Sequence, residues 1–174
     1  MRDILDVIVS RRSVKKYKDI PVEKELIDKI IKAGMYAPSG KNQQSAIILA
    51  VTNKEVRDKL SSLCARCRNV ENFDPFYGAP VALVVLADKT MFTHIYDGSV
   101  VMENMLLEAH SLGLGACWIH WAKEMFDSRE GVELLESLGI SGEYEGVGTC
   151  IVGYSDMDVL KPLPRKDKFV YYID

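Results

Sequence analysis

The run from Asp97 to Leu112 constrains the fold most. Val100, Val101, Met102, Met105, Leu106, Ala109 and Leu112 fall on more than one stripe of a helix with a 3.6-residue period. A helix apolar on more than one side belongs at the centre of a domain, largely buried, and Gly113 is its expected C-terminal stop. Around it the chain offers apolar runs of strand length. "AIILAVT" (46–52) and "APVALVVLAD" (79–88) read as buried strands, "GACWI" (115–119) as a short strand, and "GVGTCIVGY" (146–154) as a last core strand.

Amphipathic segments fill the gaps. Asp3 is placed to cap a short helix with Ile4, Leu5, Val7 and Ile8 on its apolar side. Leu26, Ile27, Ile30 and Ile31 repeat at helical spacing until Pro38. Asn53 reads as the N-cap of a helix carrying Val56, Leu60, Leu63, Cys64 and Cys67, and Val132, Leu134, Leu135 and Leu138 mark another, closed by Gly139. The tail ends in a strand-like "FVYYI" (169–173) after two prolines and a basic cluster. With no repeat and no linker, residues 1–174 form one α+β domain.

Composition narrows the class. No apolar run approaches the ~20 residues that span a bilayer, and "MRDILDVIVSRRS" lacks the apolar core of a signal peptide. The expectation is a cytoplasmic protein with no membrane partner, in which Cys64, Cys67, Cys117 and Cys150 are reduced thiols. A net charge of −3 argues against a general nucleic-acid binder.

Cys64 and Cys67 have C-x-x-C spacing but lie on the apolar stripe of one helix, with no second ligand pair for zinc, so packing is the expected role. His94, His110 and His120 share no metal-ligand spacing; His110 reads as structural, whereas His120 follows a strand, where sites are built. The pairs Gly113/Gly115 and Gly146/Gly148 lack the third glycine of a dinucleotide fingerprint and read as helix stops or tight turns.

Two polar segments remain. "RRSVKKYK" (11–18) holds five of the 22 Lys and Arg in eight residues. It is either a solvated helix end or an anion site. "APSGKNQQ" (37–44) joins a helix to a strand. It is either a plain connector or a polar bracket for a flat heteroaromatic ring.

These two segments, in that order and followed by the C-terminal Pro-Arg-Lys (164–166), resemble the FMN-dependent nitroreductase family over nearly the whole chain. The long apolar helix, "GLGACWI" and "GVGTCIVGY" extend the likeness. The resemblance implies a central mixed or antiparallel sheet flanked by helices, in a homodimer that exchanges C-terminal strands and binds FMN at its interface. It implies that Arg11 and Arg165 reach the FMN phosphate, with Arg12 and Lys166 beside them. Ser13 would bind the phosphate end or ribityl chain, and Lys15 would lie near the pyrimidine edge, where a cation stabilises charge on the reduced ring. Pro38, Ser39, Gly40, Asn42 and Gln44 match the loop that lines the ring, often from the other subunit. Trp118, Ile119, His120 and Trp121 match the segment along the ring face and N5, and Asn72 a position that reaches the pyrimidine edge.

The chain departs from the family pattern in two places. Gln44-Ser45-Ala46 stands where Gln-Pro-Trp is common, and the bulky His120-Trp121 stands where a glycine is common. The implied activity is ping-pong oxidation of NADH or NADPH and reduction of nitroaromatics, quinones or activated alkenes. His120 is a candidate proton donor or a wall residue. The alternatives are a flavin-binding protein without turnover and a small anion- or RNA-binding domain.

Overall fold

The computed structural model describes residues 3–70, 72–158 and 160–173. Its elements run α1 (Ile4–Ser10), α2 (Lys24–Met35), a 3-10 turn (Gly40–Asn42), β1 (Ala46–Val51), α3 (Lys54–Cys67), β2 (Val81–Asp88), α4 (His94–Ser111), β3 (Gly115–Ile119), α5 (Ala122–Asp127), α6 (Arg129–Ser137) and β4 (Tyr144–Gly153). The strands form one antiparallel sheet in the order β1-β2-β4-β3.

Both faces of the sheet are covered. Leu83, Val85, Cys150 and Val152 pack with Ile27 and Ile30 of α2 and with Val101, Met102 and Met105 of α4. Ala82, Val84, Leu86 and Ile151 turn the other way, onto Leu60 and Cys64 of α3, Met125 and Phe126 of α5, and Leu135 of α6. Burial on both faces explains why β2 is an unbroken apolar run rather than an alternating one. α4 lies against the sheet and α2, so its apolar positions spread beyond one stripe.

Several expectations are met in detail. The Asn53 side chain caps α3 by accepting from the Val56 amide at 3.1 Å. Gly113 and Gly139 follow α4 and α6 at φ +82° and +70°, as left-handed helix stops. Cys64 is fully buried on α3, and burial pushes its thiol up to about 12.

Others are corrected. β1 is a half-exposed edge strand rather than a buried one. α5 carries too short an apolar pattern to stand out in the sequence. Asp3 holds the N-cap position of α1 without a side-chain hydrogen bond. Only Val7 of that helix is buried, while Ile4, Leu5 and Ile8 are exposed. Gly146 and Gly148 are not turn residues but lie inside β4, on either side of Val147, where a bulge shifts the register against β2. A Cβ on Gly146 would stand 2.2 Å from the Ala122 carbonyl oxygen, and one on Gly148 would stand 2.3 Å from Trp118 Nε1. Close approach of α5 and β3, not backbone freedom, requires glycine there. Residues 169–173 form no strand within a single chain and are exposed.

Candidate functional site

The basic segment leaves α1 as extended chain along the outer edge of β3. The Val14 amide donates to the Ala116 carbonyl at 3.0 Å, and that of Lys18 to the Tyr154 carbonyl at 2.8 Å. Successive side chains of extended backbone point to opposite sides, and this splits the cluster. Arg11, Ser13 and Lys15 gather around Cys117. Burial pushes that thiol up, against the opposing pull of Ser13, Lys15 and Arg11. Arg12, Val14 and Lys16 face the other way. Arg12 lines a 230 Å³ cavity with Ser10, His110 and Met157. Val14 fills the space beside Gly115, and Lys16 pairs with Asp156 at 2.7 Å. The sequence grouped Arg12 with Arg11, Ser13 and Lys15; the structure sets its side chain apart.

Among the described residues, neither Arg11 nor Lys15 forms an ion pair. One face of the segment thus presents a guanidinium fork, a hydroxyl and an ammonium whose charges no described carboxylate balances. That donor set fits a phosphate with an electron-rich ring edge further along.

β3 runs beside this segment and ends at the four residues expected along a ring. Trp118 covers Gly148 and packs on the α4-side core. Ile119 is buried on the opposite side, so only its backbone can meet a ligand. Trp121 also packs towards that opposite core and holds the N-cap position of α5. Only His120 of the four is exposed. The expected crowding by two bulky residues reduces to His120.

The loop 37–44 is held by one carboxylate. The Gly40 amide donates to Asp97 Oδ1 at 3.0 Å, and the Ser45 and Thr93 hydroxyls donate to Asp97 Oδ2 at 2.7 and 3.1 Å. Burial pushes Asp97 up, but these bonds outweigh it and hold the carboxyl below its usual range. Ser39 Oγ accepts from the Gln44 amide at 2.9 Å. Lys41, Asn42 and Gln44 all adopt positive φ, so the turn is a built shape rather than slack chain. Pro38, Ser39 and Gln44 line a 330 Å³ cleft with Ile48 of β1 and Val101 of α4.

The loop and the basic segment lie at opposite ends of α4. The loop is tied to Asp97 in its first turn, while Ser10, just before the basic segment, meets His110 Nε2 at 2.7 Å near its end. Thirteen residues of helix separate those anchors by about 20 Å. A single copy does not bring the two together.

Asn72 borders a cleft with Arg57, Ser61 and Arg66, one residue before Phe73. Phe73 meets Tyr77 edge-on, with ring centroids 5.4 Å apart, and Lys15 Nζ lies 5.8 Å from the Tyr77 centroid. Arg165 and Lys166 stand in the exposed tail, with Lys166 over Phe169. Asp97, which the sequence did not single out, is the anchor of the loop 37–44. An acid in the first turn of a helix that is apolar on more than one side was a usable signal for Asp97.

The profile of the nitroreductase family matches residues 8–163. The chain belongs to the nitroreductase family. It is 35% identical over 172 residues to an Archaeoglobus fulgidus protein provisionally named NADH dehydrogenase/NAD(P)H nitroreductase, covering 96% of this chain and 90% of that one. A nitroreductase with bound FMN from Bacteroides fragilis superposes with a TM-score of 0.87 at 26% identity, over 100% of both chains. An FMN-dependent nitroreductase of Clostridium difficile does so at 0.81 and 32% identity, over 98% of this chain and 99% of that one. Within this nitroreductase fold, no helix among the described residues is long and apolar enough to cross a membrane.

Proposed function

We propose that this protein is an FMN-dependent NAD(P)H oxidoreductase working as a homodimer with FMN at the subunit boundary. The observation that carries the reading is the shared face of Arg11, Ser13 and Lys15, cationic and without an ion pair among the described residues, alongside β3. FMN-bound solved structures of the same fold support it.

Bound FMN would supply the redox chemistry, a two-electron exchange with NADH or NADPH and then with a second substrate. Arg11 and Ser13 hold the phosphate end, with Arg165 joining from the tail. Lys15 would place a positive charge by the pyrimidine edge, where it would favour the reduced state. Backbone of residues 118–121 would line the ring, and the exposed His120 imidazole would border the substrate side, where it could supply a proton. The loop 37–44, some 20 Å from its own basic segment, completes the site of the partner copy. One site serving both substrates in turn makes the kinetics ping-pong. Nitroaromatics, quinones and activated alkenes are the acceptor classes. Four free cysteines suit a reducing cytoplasm.

The test is the visible spectrum of the purified protein, with the flavin identified after denaturation. FMN should be released, and NADH or NADPH should bleach the bound flavin until an acceptor restores it. Colourless protein that takes up no FMN overturns the reading. Bound FMN that neither nucleotide reduces would leave a flavin carrier instead.

A further inference from the structure

We propose that Tyr77 is a positioning residue for Lys15: its ring face holds the Lys15 ammonium in place and so sets how strongly that charge favours reduced FMN. The inference rests on the reading of the site given above.

Lys15 is exposed and forms no ion pair among the described residues. Its ammonium lies over the Tyr77 ring, 5.8 Å from Nζ to the centroid, within cation–π range. A lysine on a four-carbon stem otherwise samples many rotamers, which would blur its charge over several ångströms. An aromatic face biases that freedom, by about 0.5–1 kcal/mol at an exposed site, without neutralising the charge as a carboxylate would.

Tyr77 is itself held in an unfavourable backbone shape. Its φ is +53°, a left-handed conformation that bulky residues rarely adopt, and Gly78 follows at +76°. The loop around it is fastened by Asp74. The Phe76 and Gly78 amides donate to this carboxylate at 2.8 and 2.7 Å, Arg57 Nη2 donates at 2.6 Å, and the Ser61 hydroxyl donates as well. The Tyr77 amide donates to the Asp74 carbonyl at 3.0 Å. Arg57 is buried and donates Nε–H to the Ala79 carbonyl at 2.9 Å, which ties the loop to α3 and the start of β2. Phe73 meets the Tyr77 ring at an interplanar angle of 84° and fixes its tilt. Tyr77 also packs at the rim of the α3-side core, and this fastened, strained loop leaves its ring face towards a lysine of the basic segment.

The consequence is a tuning of redox potential. A cation near the pyrimidine edge favours the reduced, more negative ring. Freed from Tyr77, Lys15 would spend part of its time in solvent, and the preference for reduced FMN would fall.

The test uses Tyr77→Phe, which keeps the ring, Tyr77→Leu, which keeps bulk, and Tyr77→Asn, which tolerates positive φ and guards against a folding failure. In flavin-free protein, the Lys15 ε-methylene protons should show an upfield ring-current shift in the wild type and Tyr77→Phe, absent in the other two. In FMN-loaded protein, Tyr77→Phe should keep the midpoint potential. The other two should weaken the preference for reduced over oxidised FMN three- to tenfold, about 15–30 mV for a two-electron couple. In a Lys15→Ala background, Tyr77→Asn should shift the potential no further. Unchanged potentials with FMN retained, or additive shifts in the double variant, overturn the role of Tyr77 and leave the FMN site standing. Wild-type protein that takes up no FMN removes both.

Discussion

The Gly40 amide donates to Asp97 Oδ1 at 3.0 Å, and the Ser45 hydroxyl donates to Oδ2 at 2.7 Å. One buried carboxylate thus ties both ends of the loop 40–45 to the first turn of α4. Gly40 is packed so closely on Thr93 that an added Cβ would stand 2.2 Å from its Oγ1. Asp97→Ala leaves an amide and two hydroxyls without their acceptor. At 1–3 kcal/mol for each stranded polar group, partly relieved by water, the expected loss is about 3 kcal/mol. Chemical denaturation measures it, and FMN affinity should fall with it, because the loop lines the proposed site of the partner.

Acid should act on the same anchor. Asp97 and Asp74 are each pushed up by burial but held below the usual carboxylate range by the hydrogen bonds they accept. Their folded forms bind a proton less readily than the unfolded chain. Their stabilisation is therefore present above the unfolded value near 4 and is lost as pH falls from there through the folded values. Stability should hold steady from pH 7 to 5 and drop below about 4. In Asp97→Asn the acid-dependent drop should be shallower. A wild-type profile flat down to pH 2 would contradict this.

The two β4 glycines should differ in tolerance. A Cβ on Gly146 meets the Ala122 carbonyl, which is backbone and cannot swing aside. One on Gly148 meets the edge of the Trp118 indole, a side chain that can move. Overpacking costs about 1–3 kcal/mol, more where backbone must shift. Gly146→Ala should lie at or above that range and Gly148→Ala within it, with Trp118 fluorescence altered in the second. Equal losses would mean that α5 yields as readily as an indole.

Arg11→Ala should weaken FMN binding by about 1.5–3 kcal/mol, the scale of hydrogen bonds to a charged group. Lys16→Ala should change it little, since Lys16 is exposed and paired with Asp156. Arg12→Ala should fall nearer to Lys16 than to Arg11, because its side chain faces the cavity beside His110. Fluorescence titration of flavin-free protein ranks the three. Equal losses would indicate a diffuse basic patch instead of a formed site.

What the sequence reveals and what it hides follow from the range of the interactions. α4, β3 and β4 were legible because hydrophobic period and glycine stops are local signals. The edge position of β1 was not, since a strand covered on one side and one covered on both can share an apolar run. Arg12 could not be separated from Arg11 and Ser13 until the segment proved to be extended along β3, because a helix end would have fanned the same residues differently. Asp97 and Asp74 act across 57 and 17 residues of chain, to Gly40 and Arg57 respectively, distances at which one sequence carries no pairing signal.

The tail carries the last prediction. Residues 160–173 are exposed along their whole length, with Tyr172 at 88% and Ile173 at 98%. Phe169, Val170, Tyr171, Tyr172 and Ile173 have strong strand propensity, and a lone chain would leave them in water as an aggregation hazard. β1 offers a sheet edge that pairs only with β2 among the described residues. Ile4, Leu5 and Ile8 of α1 and Tyr96 of α4 are further apolar surface that one copy leaves uncovered. A second copy can cover all of this at once, with each tail crossing to add a strand to the other's sheet and bringing Arg165 to a phosphate near the boundary. Truncation after Arg165 should therefore weaken the dimer and FMN retention together. Sedimentation should show a dimer for the full chain and a shift towards monomer for the truncated one, with loss of yellow colour on gel filtration. A stable monomer that keeps its FMN, with or without the tail, would overturn the exchange.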